Sequence, residues 1–271
     1  MVSARRIGNE AIRSRWRCRM DKTFYLQCQL HGKLKGFSYR VRHAQEIIAE
    51  MLEKSERPYI AFSTGKDSTV MAYLVWEQAP SVPAVYFDAD CAFPESKAML
   101  ARYEAGGRPI IRWPCERFFD TLHRVGGPTS DRCENETMRS TVYRPIKSLL
   151  AEYHFDGAFI GLRSEESYGR RKLAEVRGSL FWQKRDGLWE CLPVANFTYL
   201  DVWAYIVING VDYCAVYDRQ MELGLNPEDC RLSYWAGETK RRWGRWAFLK
   251  RNYPELFNQF AAEFPEVRAY V

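Results

Sequence analysis

The stretch that decides the fold reads Pro58-Tyr-Ile-Ala-Phe-Ser-Thr-Gly-Lys-Asp-Ser-Thr-Val70. Its first five residues form a short apolar run that predicts a buried strand, and Asp67 and Ser68 open an apolar helix that continues to about Trp76. The turn between strand and helix, residues 63–68, is small, polar and contains glycine. A turn of this kind directs backbone N–H groups and the positive end of the helix dipole at one point, where an anion binds. The stretch therefore predicts a phosphate-binding loop.

This loop is not a Walker loop. The Walker pattern needs a glycine where Ile60 stands, and Ser or Thr where Asp67 stands. The alternative is an ordinary helix cap built from residues 65–68. We favour the phosphate loop because a strand precedes it, a helix follows it, and a pair of carboxylates, Asp88 and Asp90, ends the next apolar run.

Apolar runs alternate with helical patterns through the middle of the chain. Strands are predicted at 58–62, 82–87, 109–113 and 157–161. Helices are predicted at 40–56, 67–76, 94–106, 116–125 and 138–153, whereas 126–137 is polar and predicted as a loop. Alternation of this kind is typical of parallel sheets covered by helices on both faces. The sequence therefore predicts an α/β protein with a doubly wound, mostly parallel sheet.

The domain organisation follows from composition. Residues 1–42 carry eleven Lys or Arg and two acidic residues, a net charge of +9, within a chain whose total is +6. We predict a basic N-terminal arm (1–39), a nucleotide-binding α/β domain (40–225) and a helical, aromatic and basic extension of the same domain (226–271). No stretch reaches the roughly 20 apolar residues that cross a bilayer, so we expect a cytoplasmic protein without a membrane partner.

Four segments, taken in order, resemble the PP-loop ATP pyrophosphatase superfamily. The likeness is strongest to its branch of phosphoadenosine phosphosulfate (PAPS) reductases and small subunits of ATP sulfurylase. The loop resembles Ser-Gly-Gly-x-Asp-Ser, with Thr64 in place of the first glycine. The other segments are Tyr86-Phe-Asp-Ala-Asp90 with Phe93-Pro-Glu-Ser96, Gly161-Leu-Arg163 with Glu166-Ser167 and Arg170, and Leu192-Pro-Val194 with Leu200-Asp-Val-Trp-Ala-Tyr205. The resemblance runs from about residue 57 to residue 225.

The resemblance implies an adenine nucleotide α-hydrolase-like fold, with ATP lying across the carboxyl edge of the sheet. It implies catalytic roles for Lys66, Asp67 and Arg163, with Mg²⁺ as a further cofactor at Asp67. The ATP-binding residues that it implies are Ser63, Thr64, Gly65, Lys66, Asp67, Ser68, Asp88, Asp90, Gly161, Arg163 and Arg170. Two alternatives stay open: Asp88 terminates a strand, and Arg163 and Arg170 form ion pairs with Glu165 or Glu166.

Two family chemistries compete for this site. A reductase attacks a sulfonucleotide with a cysteine thiolate carried by a C-terminal Glu-Cys-Gly-Leu-His segment, and no such segment follows Thr239-Lys-Arg-Arg-Trp-Gly-Arg-Trp246. Cys230 is the best remaining candidate, but the Gly and His are missing. An ATP-dependent adenylyltransferase, which releases pyrophosphate, needs no protein nucleophile. We favour that reaction and keep PAPS reduction as the alternative.

The spacing of the cysteines indicates a structural role for them. Eight are widely spaced and none forms a Cys-x-x-Cys pair, so we expect most to be reduced and buried. A cluster of Cys133, Cys214 and Cys230 stays open as an alternative, although we do not expect an iron–sulfur cofactor.

A third class of function is a nucleic-acid-modifying or defence-associated member of the superfamily. The basic arm and the C-terminal tryptophans Trp235, Trp243 and Trp246, interleaved with Lys and Arg, are compatible with nucleic acid as partner. We favour tryptophans packed in the core over that reading. An anionic substrate, an oligomer and a partner subunit also stay open.

Overall fold

The computed structural model describes residues 20–232 and 245–271, with the side chain of Arg245 left out. The helices are α1 (Lys22–His31), α2 (Lys35–Lys54), α3 (Lys66–Gln78), α4 (Pro94–Ala105), α5 (Phe118–Val125), α6 (Cys133–Met138), α7 (Arg144–Tyr153), α8 (Tyr168–Arg177), α9 (Tyr199–Asn209), α10 (Val216–Glu222), α11 (Arg245–Asn252) and α12 (Pro254–Glu263). The strands are β1 (Pro58–Ala61), β2 (Ala84–Asp88), β3 (Ile110–Pro114), β4 (Gly157–Ile160), β5 (Leu180–Gln183) and β6 (Leu188–Cys191).

The strands form one six-stranded sheet in the order β3-β2-β1-β4-β6-β5. Strand β1 pairs in parallel with β2 and with β4, and β4 pairs in parallel with β6. Only β5, at one edge, is seen to run antiparallel, against β6. Helices flank this mostly parallel sheet, so the predicted doubly wound α/β fold is confirmed.

The four predicted strands are present as β1–β4, and each lies within about two residues of its predicted bounds. The sequence prediction contains no strand at 180–191, where β5 and β6 form a hairpin. Helix α2 begins at Lys35, five residues before the predicted start, and the predicted loop 126–137 contains most of α6. From Tyr199 onward the described residues are mostly helical, as predicted.

The chain divides into two compact units. The first comprises Met1–Tyr86, Phe93–Ile111 and Tyr153–Cys230, and the second comprises Phe87–Ala92, Arg112–Glu152 and Arg231–Val271. The core of the first unit is formed by β1, β4 and the buried faces of α3 and α9; Ile60, Val75, Phe159, Trp203 and Ile206 are all fully or almost fully buried there. These units do not follow the boundaries of the predicted arm, domain and extension.

The described part of the predicted basic arm is helical. Helix α1 buries Phe24, Tyr25 and Cys28, and Phe24 packs edge-on against Trp203 of α9 with ring centroids 6.0 Å apart. The remaining residues of the arm, 1–19, lie outside the described residues.

The second unit contains the described part of the C-terminal extension from residue 231 onward, whereas 226–230 belong to the first unit. Trp246 is fully buried and packs edge-on against Phe260, with ring centroids 5.3 Å apart. This tryptophan is a core residue, as favoured from the sequence, and its ring is not exposed for base stacking. Trp235 and Trp243 lie outside the described residues. Within the described ranges, no helix is both long enough and apolar enough to cross a membrane.

Candidate functional site

The predicted loop connects β1 to α3, and its backbone turns at Thr64. Thr64 has a φ angle of +60°, a left-handed conformation that β-branched residues rarely adopt. Its hydroxyl donates to the carbonyl of Ser63 at 2.6 Å and lies 3.0 Å from Oγ of Ser96, and the residue is 1% exposed. A backbone held in this region costs about 1–3 kcal/mol. The glycine found here in the resembling superfamily would avoid that cost.

The turn is closed by hydroxyl groups. Oγ of Ser68 donates to the carbonyl of Gly65 at 3.0 Å, accepts from the N–H of Ser63 at 3.3 Å, and lies 3.0 Å from Oγ of Ser63. A Cβ atom on Gly65 would lie 3.1 Å from Oγ of Ser63, tighter than most contacts. In this structure the N–H groups of Thr64 and Asp67 have no acceptor among residues 20–232 and 245–271. Two donors beside the amino end of α3 are thus available to an anion.

Asp67 lies between two buried cations. Its Oδ1 accepts from Nε of Arg163 at 2.5 Å, and its Oδ2 lies 3.3 Å from Nζ of Lys66. The side chains of both cations are 1% exposed, whereas that of Asp67 is 14% exposed. Burial raises the pKa of the Asp67 carboxyl, but Lys66 and Arg163 outweigh it and hold the pKa below its ordinary value. Asp67 is therefore a carboxylate near neutral pH.

Lys66 is turned into the protein. Its Nζ lies 3.4 Å from the carbonyl oxygen of Cys230 and 5.5 Å from the ring centroid of Tyr217. Its backbone N–H, the first of α3, donates to the hydroxyl of Tyr217 at 2.9 Å. Lys66 therefore ties the start of α3 to the segment that contains α10, and its ammonium group is enclosed by protein atoms.

Arg163 follows β4 and is surrounded by carboxylates. Besides Asp67, its guanidinium contacts Glu165 and lies 3.9 Å from Glu166. Burial lowers the pKa of Arg163, but Asp67, Glu166 and Glu165 outweigh that effect and raise it above its usual value. Arg170, on α8, pairs with Glu166 and is 40% exposed. These are the ion pairs with Glu165 and Glu166 that the sequence left open.

Gly161 allows β4 to approach the loop. A Cβ atom at this position would lie 2.8 Å from Cα and 2.9 Å from the backbone nitrogen of Ser68, distances that real Cβ atoms essentially never show. The backbone of Gly161 thus comes close to the first turn of α3, and its role in ATP binding stays a prediction.

The first unit brings together eight of the predicted site residues: Ser63, Thr64, Gly65, Lys66, Asp67, Ser68, Gly161 and Arg163. Asp88 and Asp90 belong to the second unit. There, Oδ1 of Asp90 accepts from the backbone N–H of Phe118 at 2.7 Å and Oδ2 accepts from Arg117 at 3.2 Å, so Asp90 holds the start of α5. The carboxylate of Asp88 makes no hydrogen bond within the described part of the chain.

Two residues of this site were missed from the sequence. Tyr217 accepts the first N–H of α3, and Oγ of Ser96 lies 3.0 Å from the hydroxyl of Thr64 and 3.6 Å from Sγ of Cys214. Ser96 stands in the quoted Phe93-Pro-Glu-Ser96 segment, so the resemblance could have indicated it. Tyr217 lies 151 residues from Lys66 and carries no local signal.

The residues present do not fit a magnesium ion at Asp67. Each carboxylate oxygen of Asp67 already contacts a cation, and Mg²⁺ would add a third positive charge to the same group. Within the described ranges, no group of three or more His, Cys, Asp or Glu is arranged to hold a metal. We therefore assign no step to a metal held by Asp67, and that ligand stays a prediction.

The cysteines are mostly buried, as predicted. Of the seven described, only Cys115 is half-buried and the other six are buried. Sγ of Cys230 donates to the carbonyl of Asn226 at 3.4 Å, and Sγ of Cys133 lies 3.8 Å from Oγ1 of Thr137. Both thiols are enclosed in this structure.

Sequence comparison places this arrangement in a known family. Residues 57–244 match the family model of the phosphoadenosine phosphosulfate reductase domain. An uncharacterized protein of Methanocaldococcus jannaschii is 26% identical over 234 residues, covering 80% of this chain and 46% of that protein. A sulfate adenylyltransferase subunit 2 of Alkalilimnicola ehrlichii is 28% identical and covers 63% of each chain. A phosphoadenosine 5'-phosphosulfate reductase of Xanthomonas euvesicatoria is 26% identical, covering 75% of this chain and 87% of that protein.

The chain spans about half the length of the archaeal relative. Among solved structures, a phosphoadenylyl-sulfate reductase of Candida auris aligns with a TM-score of 0.53 at 16% identity, covering 68% of this chain and 85% of that one. An FMN adenylyltransferase of Candida glabrata aligns with a TM-score of 0.50 at 15% identity, covering 72% of this chain and 65% of that one. At these identities the likeness shows the fold. The two sequence relatives whose names state an activity are a sulfate adenylyltransferase subunit and a reductase, which supports a nucleotide-binding enzyme of this family without identifying its reaction or its acceptor.

Proposed function

The chain belongs to the phosphoadenosine phosphosulfate reductase domain family, and on that premise we propose that it binds ATP at the loop Ser63–Ser68 and transfers the adenylyl group to an acceptor. An oxygen of the acceptor bonds to the α-phosphorus of ATP. The bond from that phosphorus to the oxygen bridging the β-phosphate breaks, and pyrophosphate leaves with the electron pair. A proton on the attacking oxygen, where there is one, passes to solvent. No covalent intermediate on the protein is needed.

One observation carries this proposal: two unsatisfied backbone donors lie at the amino end of α3, in a turn held open by Thr64 and Gly161. Donors of this kind bind phosphate oxygens, and the positive end of the helix dipole adds to the attraction. Because the donors are fixed before the nucleotide arrives, they stabilise the charge that develops on the phosphates without reorganisation.

The buried charges play a supporting part in this proposal. Lys66 and Arg163 face Asp67 and not the outside of the loop, so they hold the turn in shape and set a local positive potential. We propose that the phosphates bring most of the ligands for Mg²⁺, since Mg²⁺ usually binds through substrate phosphates and water.

The alternative function is reduction of a sulfonucleotide, which the names of several relatives keep open. It needs an accessible thiolate. Cys230 is fully buried, and its carbonyl is the group that faces Lys66. This geometry favours adenylyl transfer. Because one relative is named subunit 2 of sulfate adenylyltransferase, a partner subunit also belongs to the proposal.

Product analysis tests the proposal. The purified full chain is incubated with magnesium and ATP labelled in the α-phosphate, with candidate acceptors in separate reactions, and the products are separated. The proposal expects labelled AMP or a labelled adenylylated acceptor together with pyrophosphate. ADP and phosphate as sole products would overturn it. Sulfite formed from PAPS and thioredoxin, and lost in Cys230→Ser, would establish the alternative.

A further inference from the structure

A groove in the first unit carries a second set of polar groups. It lies between α2 and α8 and has a volume of about 600 Å³, which is within the usual range for small-molecule sites. Ile47, Ala174 and Leu180 form its apolar part, while Ser164, Arg171 and Asn196 bring polar groups to it. All of these residues belong to the first unit.

The groove is connected to the nucleotide loop through β4. Ser164 follows Arg163, whose guanidinium contacts Asp67 at 2.5 Å. The N–H of Ser164 donates to the carbonyl of Ala195 at 2.9 Å, which fixes the segment that carries Asn196. In open α/β sheets, ligands bind beyond the carboxyl ends of the strands. Ser164 lies beyond the carboxyl end of β4, and the loop lies beyond that of β1, so the groove and the loop share one edge of the sheet.

Two carboxylates and one guanidinium group line the groove, and both carboxylates lie within 4 Å of a lysine outside the lining. Glu50 lies 3.6 Å from Lys54, and Glu175 lies 3.8 Å from Lys172. His43 lies 3.8 Å from Glu46 on the same helix. Arg171 makes no ion pair within residues 20–232 and 245–271. A guanidinium group binds carboxylates and similar oxyanions through two parallel hydrogen bonds, so the unmatched group indicates an anionic ligand.

We propose that this groove binds the acceptor, and that the acceptor is a small organic anion with an apolar body. Arg171 holds its carboxylate or comparable oxyanion, Ser164 and Asn196 donate further hydrogen bonds, and the apolar body covers Ile47, Ala174 and Leu180. Arg171 is then a specificity residue. This inference rests on the proposed adenylyl transfer only in calling the ligand an acceptor, because the groove binds its anion whether or not ATP is cleaved.

Fluorine NMR with para-fluorobenzoate as the probe tests the groove. The probe is titrated into the full chain, and para-fluorobenzyl alcohol and para-fluorobenzylamine provide the neutral and cationic comparisons. We expect the benzoate to bind in the millimolar range and both comparison compounds to bind more weakly. Arg171→Ala should weaken benzoate binding at least about tenfold, and Arg171→Lys should restore part of it.

The matched control is Arg177→Ala, because Arg177 is on the same helix but its guanidinium lies over the ring of Phe181, 5.3 Å from the centroid. It should leave benzoate binding unchanged. Equal binding by the wild type and Arg171→Ala, equal binding of the amine, or no benzoate binding would overturn the proposal. MgATP affinity, measured on the same samples, separates the two hypotheses. If the chain binds benzoate through Arg171 but does not cleave ATP, the proposal for the groove holds and the proposed adenylyl transfer is wrong.

Discussion

Two aspartates with a lowered pKa, Asp67 in the loop and Asp201 at the start of α9, are built alike and serve different ends. Asp201 accepts from His31 at 2.7 Å and from two nitrogens of Arg40 at 2.8 and 2.7 Å. It also accepts from the N–H and the hydroxyl of Thr198, both at 2.7 Å, and its side chain is 0% exposed. Burial raises the pKa of Asp201, but hydrogen bonds from Arg40 and His31 outweigh it and lower that pKa, as the neighbouring cations do for Asp67.

The difference lies in what surrounds each carboxylate. Asp201 has hydrogen bonds on both oxygens, and its own N–H donates to Oγ1 of Thr198 at 3.1 Å, so it fastens α1 and α2 to α9. Asp67 is partly exposed, and its own N–H has no acceptor in the described part of the chain. A buried carboxylate with a lowered pKa is therefore not by itself a sign of a reactive site. The two residues differ in that the N–H of Asp67 has no acceptor among the described residues, whereas the N–H of Asp201 is bonded to Thr198.

The largest effect is expected from Asp201→Asn. The change removes the charge that Arg40 and His31 face and leaves buried donors without an acceptor, so the free energy of unfolding should fall by about 4 kcal/mol. Urea unfolding followed by circular dichroism measures this loss. The folded fraction should bind MgATP with the wild-type dissociation constant. A variant of wild-type stability that has lost MgATP binding would reverse the roles assigned to the two aspartates.

Asp67→Asn should cost less stability and more activity. Arg163 keeps Glu165 and Glu166 as partners, so we expect a loss of about 3 kcal/mol at most. Turnover of ATP should fall about 100-fold, because the turn that presents the backbone donors loses the charge that organises it. Steady-state kinetics and urea unfolding on the same sample check both values. Wild-type turnover in this variant would contradict the assignment.

Gly161→Ala tests the close approach of β4 to the loop. A methyl group 2.8 Å from Cα of Ser68 must displace the first turn of α3, so we expect a loss of about 2 kcal/mol in stability and a clear rise in the MgATP dissociation constant. Gly169→Ala is the matched control. Gly169 is in α8 with open space around its Cα, and alanine there should raise stability by about 1 kcal/mol. Equal changes in stability and in MgATP affinity at the two glycines would contradict a role for the close approach of β4 to the loop.

Acid pH should act on both aspartates in the same direction. Their folded pKa values are lowered, so the unfolded chain binds more protons, and the stability they contribute is complete above the ordinary Asp value of about 3.9. This stability is lost as the pH falls from that ordinary value to the lowered pKa of the folded chain. The loss is about 1.4 kcal/mol per pH unit for each proton taken up. Urea unfolding at a series of acid pH values measures the slope. Asp67→Asn should show a shallower slope than the wild type, and equal slopes would contradict the ion pairs described here.

The sequence predicted the parts of this structure that local patterns encode. Apolar runs located β1–β4, and the small polar residues after β1 indicated the loop. The hairpin of β5 and β6 was missed because each strand has four residues and its sequence, rich in tryptophan and leucine, shows no clear alternation.

The partners of the two aspartates could not be predicted. Arg163 lies 96 residues from Asp67, and Arg40 lies 161 residues from Asp201, so no local pattern links them. The sequence resemblance indicated that Arg163 and Asp67 belong to one site. It did not indicate that they pair with each other, because that contact depends on β1 and β4 lying side by side in the sheet.

The central claim is that a nucleotide binds to the backbone donors beside Asp67. Backbone amide NMR tests it most directly, on the full chain titrated with magnesium and an ATP analogue whose α–β bridge cannot be cleaved. We predict that the amide resonances of Thr64, Gly65 and Asp67 shift as the analogue binds, while that of Thr198 beside Asp201 stays in place. Saturable binding that leaves the three loop amides unshifted would contradict the account.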